Sequence, residues 1–358
     1  MKLIKYLTIL ACTCFIVGTT TAQDIHFSQF YLSPLNLNPA MTGMMDCTHR
    51  LTGNYRSQWQ SVLGNDAFKT YSVSYDMRVP VARYDNFGWG LSLWGDRAGA
   101  LSFSTMEART HFAYSKRIAG GRKRATYLAA GAEAGIAQRT IDFLNAQWGA
   151  QNDAGSFDPG LSTEEEERFY NNNFLFADLS GGLLLYSVLN ENTNFYIGGV
   201  FSHLNRANQS FENENDEGEN FEAYYSKLTI HAGGEVMLTD RLGLVPGIVI
   251  FDQGPAFELN AGTSVKFKMG SRYKRGGNTQ AFHLGLWGRM SNRLDSGIWM
   301  DALILSTRFD FNQFTLGFSY DVNVSSLQVA SNSNGGYELS LVYKICNEDR
   351  RGVICPEF

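Results

Sequence analysis

The chain has 358 residues, with 30 Lys and Arg against 35 Asp and Glu, and only 7 prolines beside 36 glycines and 25 phenylalanines. Its net charge of −5 argues against a nucleic-acid partner, which is bound through clustered bases. Beyond the N-terminus no stretch approaches the ~18 uninterrupted apolar residues of a spanning helix.

Residues 1–22 read as an export signal. Lys2 and Lys5 form the basic start, Tyr6 to Gly18 the apolar run, and Thr20-Thr21-Ala22 the small residues before a cut ahead of Gln23. Ile9-Leu10-Ala11-Cys12 resembles a lipidation box, but the apolar run continues past it through Cys14 to Val17, which favours simple cleavage. Cleavage leaves 28 basic and 35 acidic residues, a charge of −7.

Residues 23–46 differ from the remainder of the chain. Pro34 and Pro39 stand close together, so the segment is not a strand, yet Phe27, Phe30, Tyr31, Leu35 and Leu37 make it greasy. It is expected to pack across the lumen or the mouth of the domain C-terminal to it, since exposed apolar stretches seek cover. A docking peptide for a periplasmic partner is the alternative.

From about Tyr71 to Ile345 the hydrophobic rhythm has period two, within a barrel expected over residues 47–346. It is clearest near the end, where Phe314, Leu316, Phe318, Tyr320 and Val322 alternate with Thr315, Gly317, Ser319, Asp321 and Asn323. The pattern restarts as Tyr337, Leu339, Leu341, Tyr343 and Ile345, opposed by Glu338, Ser340 and Lys344. An apolar, aromatic-rich face opposite a polar one describes a strand with lipid on one side and a wet lumen on the other. About fourteen such strands are predicted: 47–57, 67–79, 86–96, 101–117, 124–138, 174–188, 193–203, 223–238, 241–251, 256–269, 279–290, 297–309, 313–323 and 335–346. The first, seventh, ninth and twelfth lack a clean alternation. The fold expected is all-β, a transmembrane antiparallel outer-membrane barrel in one domain, followed by a periplasmic tail over 347–358.

Connection lengths alternate. Short links at 190–193, 239–240 and 310–312 contrast with 139–173 and 204–222, both polar and acidic. Long external loops and short periplasmic turns would put both termini in the periplasm. The acidic runs, Glu164 to Glu167 among them, do not match a calcium loop and read as solvated surface.

Asp76, Arg78, Asp96, Glu107, Arg109, Glu133, Lys227, Glu235, Glu258, Lys266, Lys268 and Lys344 fall on the lumen face, where opposite charges pair across strands. The six histidines have no metal-ligand spacing and accompany no nucleophile, so no catalytic residue, metal or cofactor is assigned. Gly181-Gly182 and Gly198-Gly199 inside strands read as bends or bulges. Of the cysteines that survive cleavage, Cys47, Cys346 and Cys355, any two can meet near one rim. Cys346–Cys355 is expected because its loop is short and local, with Cys47 as the alternative partner of Cys355 and three free thiols as the remaining alternative.

Three groups of residues resemble the PorP/SprF family of type IX secretion and gliding-motility membrane proteins. The first is Phe27-Ser28-Gln29 followed by Asn38-Pro39-Ala40 and Gly43. The second is Arg56, Gln58 and Trp59. The third is the closing hairpin with Tyr320, Asp321, Asn323, Ser325, Leu327, Glu338, Ser340 and Tyr343. Together they bracket the mature chain. The resemblance implies an outer-membrane, lipid-embedded barrel without enzymatic activity. It would support secretion or surface anchoring of large adhesin-type cargo, alongside other type IX components and periplasmic peptidoglycan-binding proteins. A passive porin or hydrophobic-solute channel is the alternative.

Overall fold

The computed structural model describes residues 24–121, 124–143, 146–153, 156–162, 172–190, 192–211, 221–269, 280–292, 297–326 and 328–346. Residues 1–23, where the export signal is expected, Leu327, Cys355 and the remaining residues after Cys346 lie outside them. Fourteen antiparallel strands close into a barrel. In chain order they are β1 (His49–Gln58), β2 (Phe68–Pro80), β3 (Asn86–Ala98), β4 (Phe103–Gly120), β5 (Ala125–Thr140), β6 (Asn173–Asn190) and β7 (Thr193–Ser202). Then come β8 (Lys227–Met237), β9 (Leu242–Gln253), β10 (Ala256–Lys268), β11 (Gln280–Asn292), β12 (Ile298–Phe311), β13 (Phe314–Asn323) and β14 (Asn334–Ile345). Each pairs with its sequence neighbours, and β1 closes on β14 from His49↔Ile345 to Gln58↔Gly336.

The alternation sorts as its chemistry requires. Phe314, Leu316, Phe318, Leu339 and Leu341 are exposed on the outer wall, whereas Ser319, Asp321, Glu338 and Ser340 are buried inside. Outward apolar chains meet lipid, and inward polar ones find partners within.

The lumen is filled. Residues 24–48 run through it as a plug made of three tight turns: Phe30–Leu32, Pro34–Leu37 and Pro39–Met41. Pro34 and Pro39 each open a helical turn, where the missing N–H costs nothing. Asn38 between them is extended, and its side chain accepts the N–H of Ala40 at 2.8 Å. Phe30, Leu37, Ala40, Met41 and Met44 join inward residues such as Tyr127, Leu184, Tyr186, Val249, Trp287 and Ile304 in one buried cluster. Several inner-wall positions are therefore apolar, among them Val200 on β7, Val249 on β9 and Ile304 on β12. That is why these three strands lack a clean alternation. On β12 a register shift opposite Arg289 and Met290 adds to the effect.

Three expectations need correction. The disulfide joins Cys47 to Cys346, not Cys346 to Cys355, with Cα atoms 4.2 Å apart. Closure of β1 on β14 brings these residues together, as Thr48 N–H already bonds Ile345 C=O at 2.9 Å. Next, the ends of the described chain do not share a mouth. Asp24 contacts His203, Lys227 and Gln253 beside the 203–226 loop, whereas Cys346 follows the last strand at the opposite, short-turn mouth. The plug crosses the lumen from one mouth to the other. Finally, the paired glycines of β6 and β7 sit in continuous register, and the only shift in that pair lies between Val188 and Asn190.

Candidate functional site: the plug and its sockets

Three nodes inside the lumen hold the plug, and Asp24 anchors its start at the long-loop mouth. Nearest the long loops, Glu338 accepts the backbone N–H groups of Ser28 and Gln29 at 2.7 and 3.1 Å. Ser28 Oγ donates to Asp321, 2.9 Å from either carboxylate oxygen. Arg56 and Arg289 flank that carboxylate at 3.2 and 2.8 Å. Arg56 also reaches His26 C=O at 2.6 Å, and Arg289 pairs with Asp301 at 2.7 Å. Arg56, Asp321, Glu338 and Arg289 are all buried. Charges this deep persist only with full hydrogen bonding, which the wall and plug provide jointly.

At the middle depth the contacts are close and small. Asn38 donates to Leu183 C=O at 3.1 Å and meets His231 Nε2 at 2.9 Å. A Cβ at Gly182 would stand 2.3 Å from Asn38 Oδ1, and one at Gly198 2.8 Å from Asn38 Nδ2. A Cβ at Gly131 would strike the Pro39–Ala40 backbone at 2.4 Å. These glycines are sockets for the plug. Opposite them Tyr31 stacks on Trp287 at 5.1 Å, and Phe30 meets the same ring edge-on at 5.6 Å.

At the short-turn mouth Asp76 accepts Gly43 N–H at 2.7 Å and pairs with Arg50 at 2.8 Å. Arg50 also reaches Met41 C=O at 3.1 Å. Gly43 has φ +69°, and a Cβ there would lie 2.7 Å from Gly88 Cα, so backbone and space both require glycine.

Asp24 lies where the plug begins, bonded to His203 at 2.7 Å, to Lys227 at 3.4 Å and to the Tyr224 hydroxyl. Burial disfavours its charge, yet His203 and Lys227 hold its pKa well below the usual carboxylate range. Burial likewise opposes protonation of His203, but Asp24 and Asp178 outweigh it and raise its pKa to about 9.

Ser28, Gln29, Arg56, Asp321 and Glu338, which sequence alone singled out far apart, therefore meet at one node. Phe27, Asn38, Pro39, Ala40 and Gly43 belong to the plug's own packing. Ser340 accepts from Asn54 at 2.8 Å, and Asn323 accepts the N–H of Ser325 at 2.9 Å in the β13–β14 connection. Tyr343 is elsewhere, stacked on Phe314 at 4.5 Å on the outer wall. Tyr320 bonds Asn334 at 2.6 Å, Gln58 ends β1, and Trp59 turns the chain at φ +60°. Sequence reasoning missed Arg50, Trp287 and Arg289 as plug partners. Their signal was slight, an Arg or Trp on an inward position of a strand.

The family model for the type IX secretion system membrane protein PorP/SprF matches residues 19–343. The chain belongs to the PorP/SprF family. It is thus a membrane component of type IX secretion and an outer-membrane barrel. No curated protein is significantly similar in sequence. Among solved structures, CdiB from Escherichia coli is similar at 10% identity and a TM-score of 0.46, over 82% of this chain and 63% of CdiB. The TodX monoaromatic hydrocarbon channel, as a deltaS2 mutant, gives 13% identity and a TM-score of 0.46 over 88% of this chain and 94% of its own. A Pseudomonas aeruginosa FadL homologue gives 11% and 0.42, over 86% and 92%. These likenesses concern barrel architecture alone.

Proposed function

We propose that this PorP/SprF protein serves as a closed, non-conducting platform that supports secretion and surface anchoring of specific large adhesin-type cargo. The plug carries the proposal. Its buried ion pairs and glycine sockets occupy the space through which a porin would pass solutes. The partners are the cargo, other type IX components and periplasmic peptidoglycan-binding proteins. In this arrangement the short-turn mouth faces the periplasm and the acidic loops around 141–172 and 203–226 face outward, as in bacterial outer-membrane barrels.

Gene deletion followed by mass spectrometry of surface proteins tests the role. Loss of particular large surface proteins with unchanged small-solute uptake supports it. Lost uptake with an intact surface proteome would favour the passive-channel alternative. Purified protein in planar bilayers should show almost no conductance, and steady porin-like conductance would sink the plugged-platform proposal.

A further inference from the structure

The short-turn mouth carries a feature that the plug does not use. On the arc from β2 to β5, the 81–85 connection lies beside the end of β4 and the start of β5, with Gly121 and Arg124, because β3 and β4 are adjacent. Arg83, Lys116 and Arg124 are exposed there, and Arg117 is half-buried. The guanidinium carbons of Arg83 and Arg117 sit 5.3 and 4.3 Å from the centre of the Tyr84 ring, which gathers both cations on one side chain. Asp85 is the acid within the arc, and it accepts the Tyr114 hydroxyl at 2.8 Å and Arg117 N–H at 3.3 Å.

The same arc is greasy. Val81 is 59% exposed and Ile118 53% exposed, interleaved with the cations. The 81–85 connection is five residues long and cannot reach far beyond the rim, so it lies at the level of lipid headgroups. The opposite mouth has the reverse charge: its connecting sequences hold fifteen acids and three bases. Apolar side chains beside stacked guanidinium groups at headgroup depth suit a phosphate with an acyl chain beneath it.

We propose that the β2–β5 arc of the short-turn rim is a binding site for anionic phospholipid headgroups. Arg83, Lys116 and Arg124 contact the phosphate, and Val81 and Ile118 contact the upper acyl chain. This holds whatever cargo the protein serves.

The test is native mass spectrometry of the full mature protein in detergent, offered phosphatidylglycerol and phosphatidylcholine with identical acyl chains. The wild type should retain phosphatidylglycerol in about tenfold excess. The combined variant Arg83→Gln, Lys116→Gln, Arg124→Gln should fall to near parity while keeping the heat-modifiable gel mobility of a folded barrel. Equal retention by the wild type, or an undiminished preference in the folded variant, would overturn the proposal. Displacement of the lipid by inorganic phosphate would mean a free-anion site. Displacement by polyglutamate would assign the arc to an acidic protein instead. Either result would also overturn it.

Discussion

Glu338 on β14 accepts the N–H of Ser28 at 2.7 Å, tying the last strand to a residue 310 positions earlier. With Gln29 N–H at 3.1 Å, one carboxylate satisfies two successive backbone amides. Glu338→Ala should destabilise the plug by about 1.5–3 kcal/mol, the range for hydrogen bonds to a charged group. Glu338→Gln, which keeps an acceptor oxygen, should lose less. Hydrogen exchange over residues 24–33 reads the difference, and equal protection in both variants would show that this contact does not hold the plug.

Glycine substitution separates socket from ordinary wall. Gly53 faces outward, and a methyl group placed on it would have nothing within 4 Å, so Gly53→Ala should be neutral or slightly stabilising. Gly131→Ala should cost about 1–3 kcal/mol, because its methyl meets the plug backbone. Thermal unfolding followed by gel mobility checks the contrast.

Non-reducing peptide mapping should recover a cross-linked peptide containing Cys47 and Cys346. Cys47→Ser should lower stability by about 2–5 kcal/mol. A Cys346–Cys355 peptide in its place would contradict the seam staple.

The contact of Asp24 with His203 should respond to pH in both directions. The folded pKa of His203, about 9, lies above its ordinary 6.5, so its contribution is complete below pH 6.5 and disappears as pH rises through 9. It is on the order of 3 kcal/mol. Asp24 has a depressed pKa, so its contribution is present above the ordinary carboxylate range and is lost as pH falls through the lowered value. Stability should therefore decline on both flanks, and His203→Gln should remove most of the alkaline decline. An unchanged alkaline limb in that variant would exclude this pair as the cause.

If the short-turn mouth is periplasmic, protease added to whole cells should cut within 141–172 or 203–226. It should spare the chain beyond Cys346. Cleavage restricted to that C-terminal end would reverse the orientation.

The sequence by itself determined the wall. Alternation such as Phe314, Leu316 and Phe318 against Thr315, Gly317 and Ser319 depends on nearest neighbours along one strand, and lipid outside imposes it whatever lies within. It also marked Ser28, Arg56, Asp321 and Glu338 as a family pattern, without saying that they meet. Only closure of the barrel decided that. The pairing of β1 with β14 sets Arg56 opposite Glu338 and brings Cys47 to Cys346, and a local preference for a short disulfide loop cannot foresee a contact 299 residues apart. The plug's path was hidden for the same reason. Gly131, Gly182 and Gly198 look like weak points in a strand until Asn38 and the Pro39–Ala40 backbone occupy the space that their missing side chains leave.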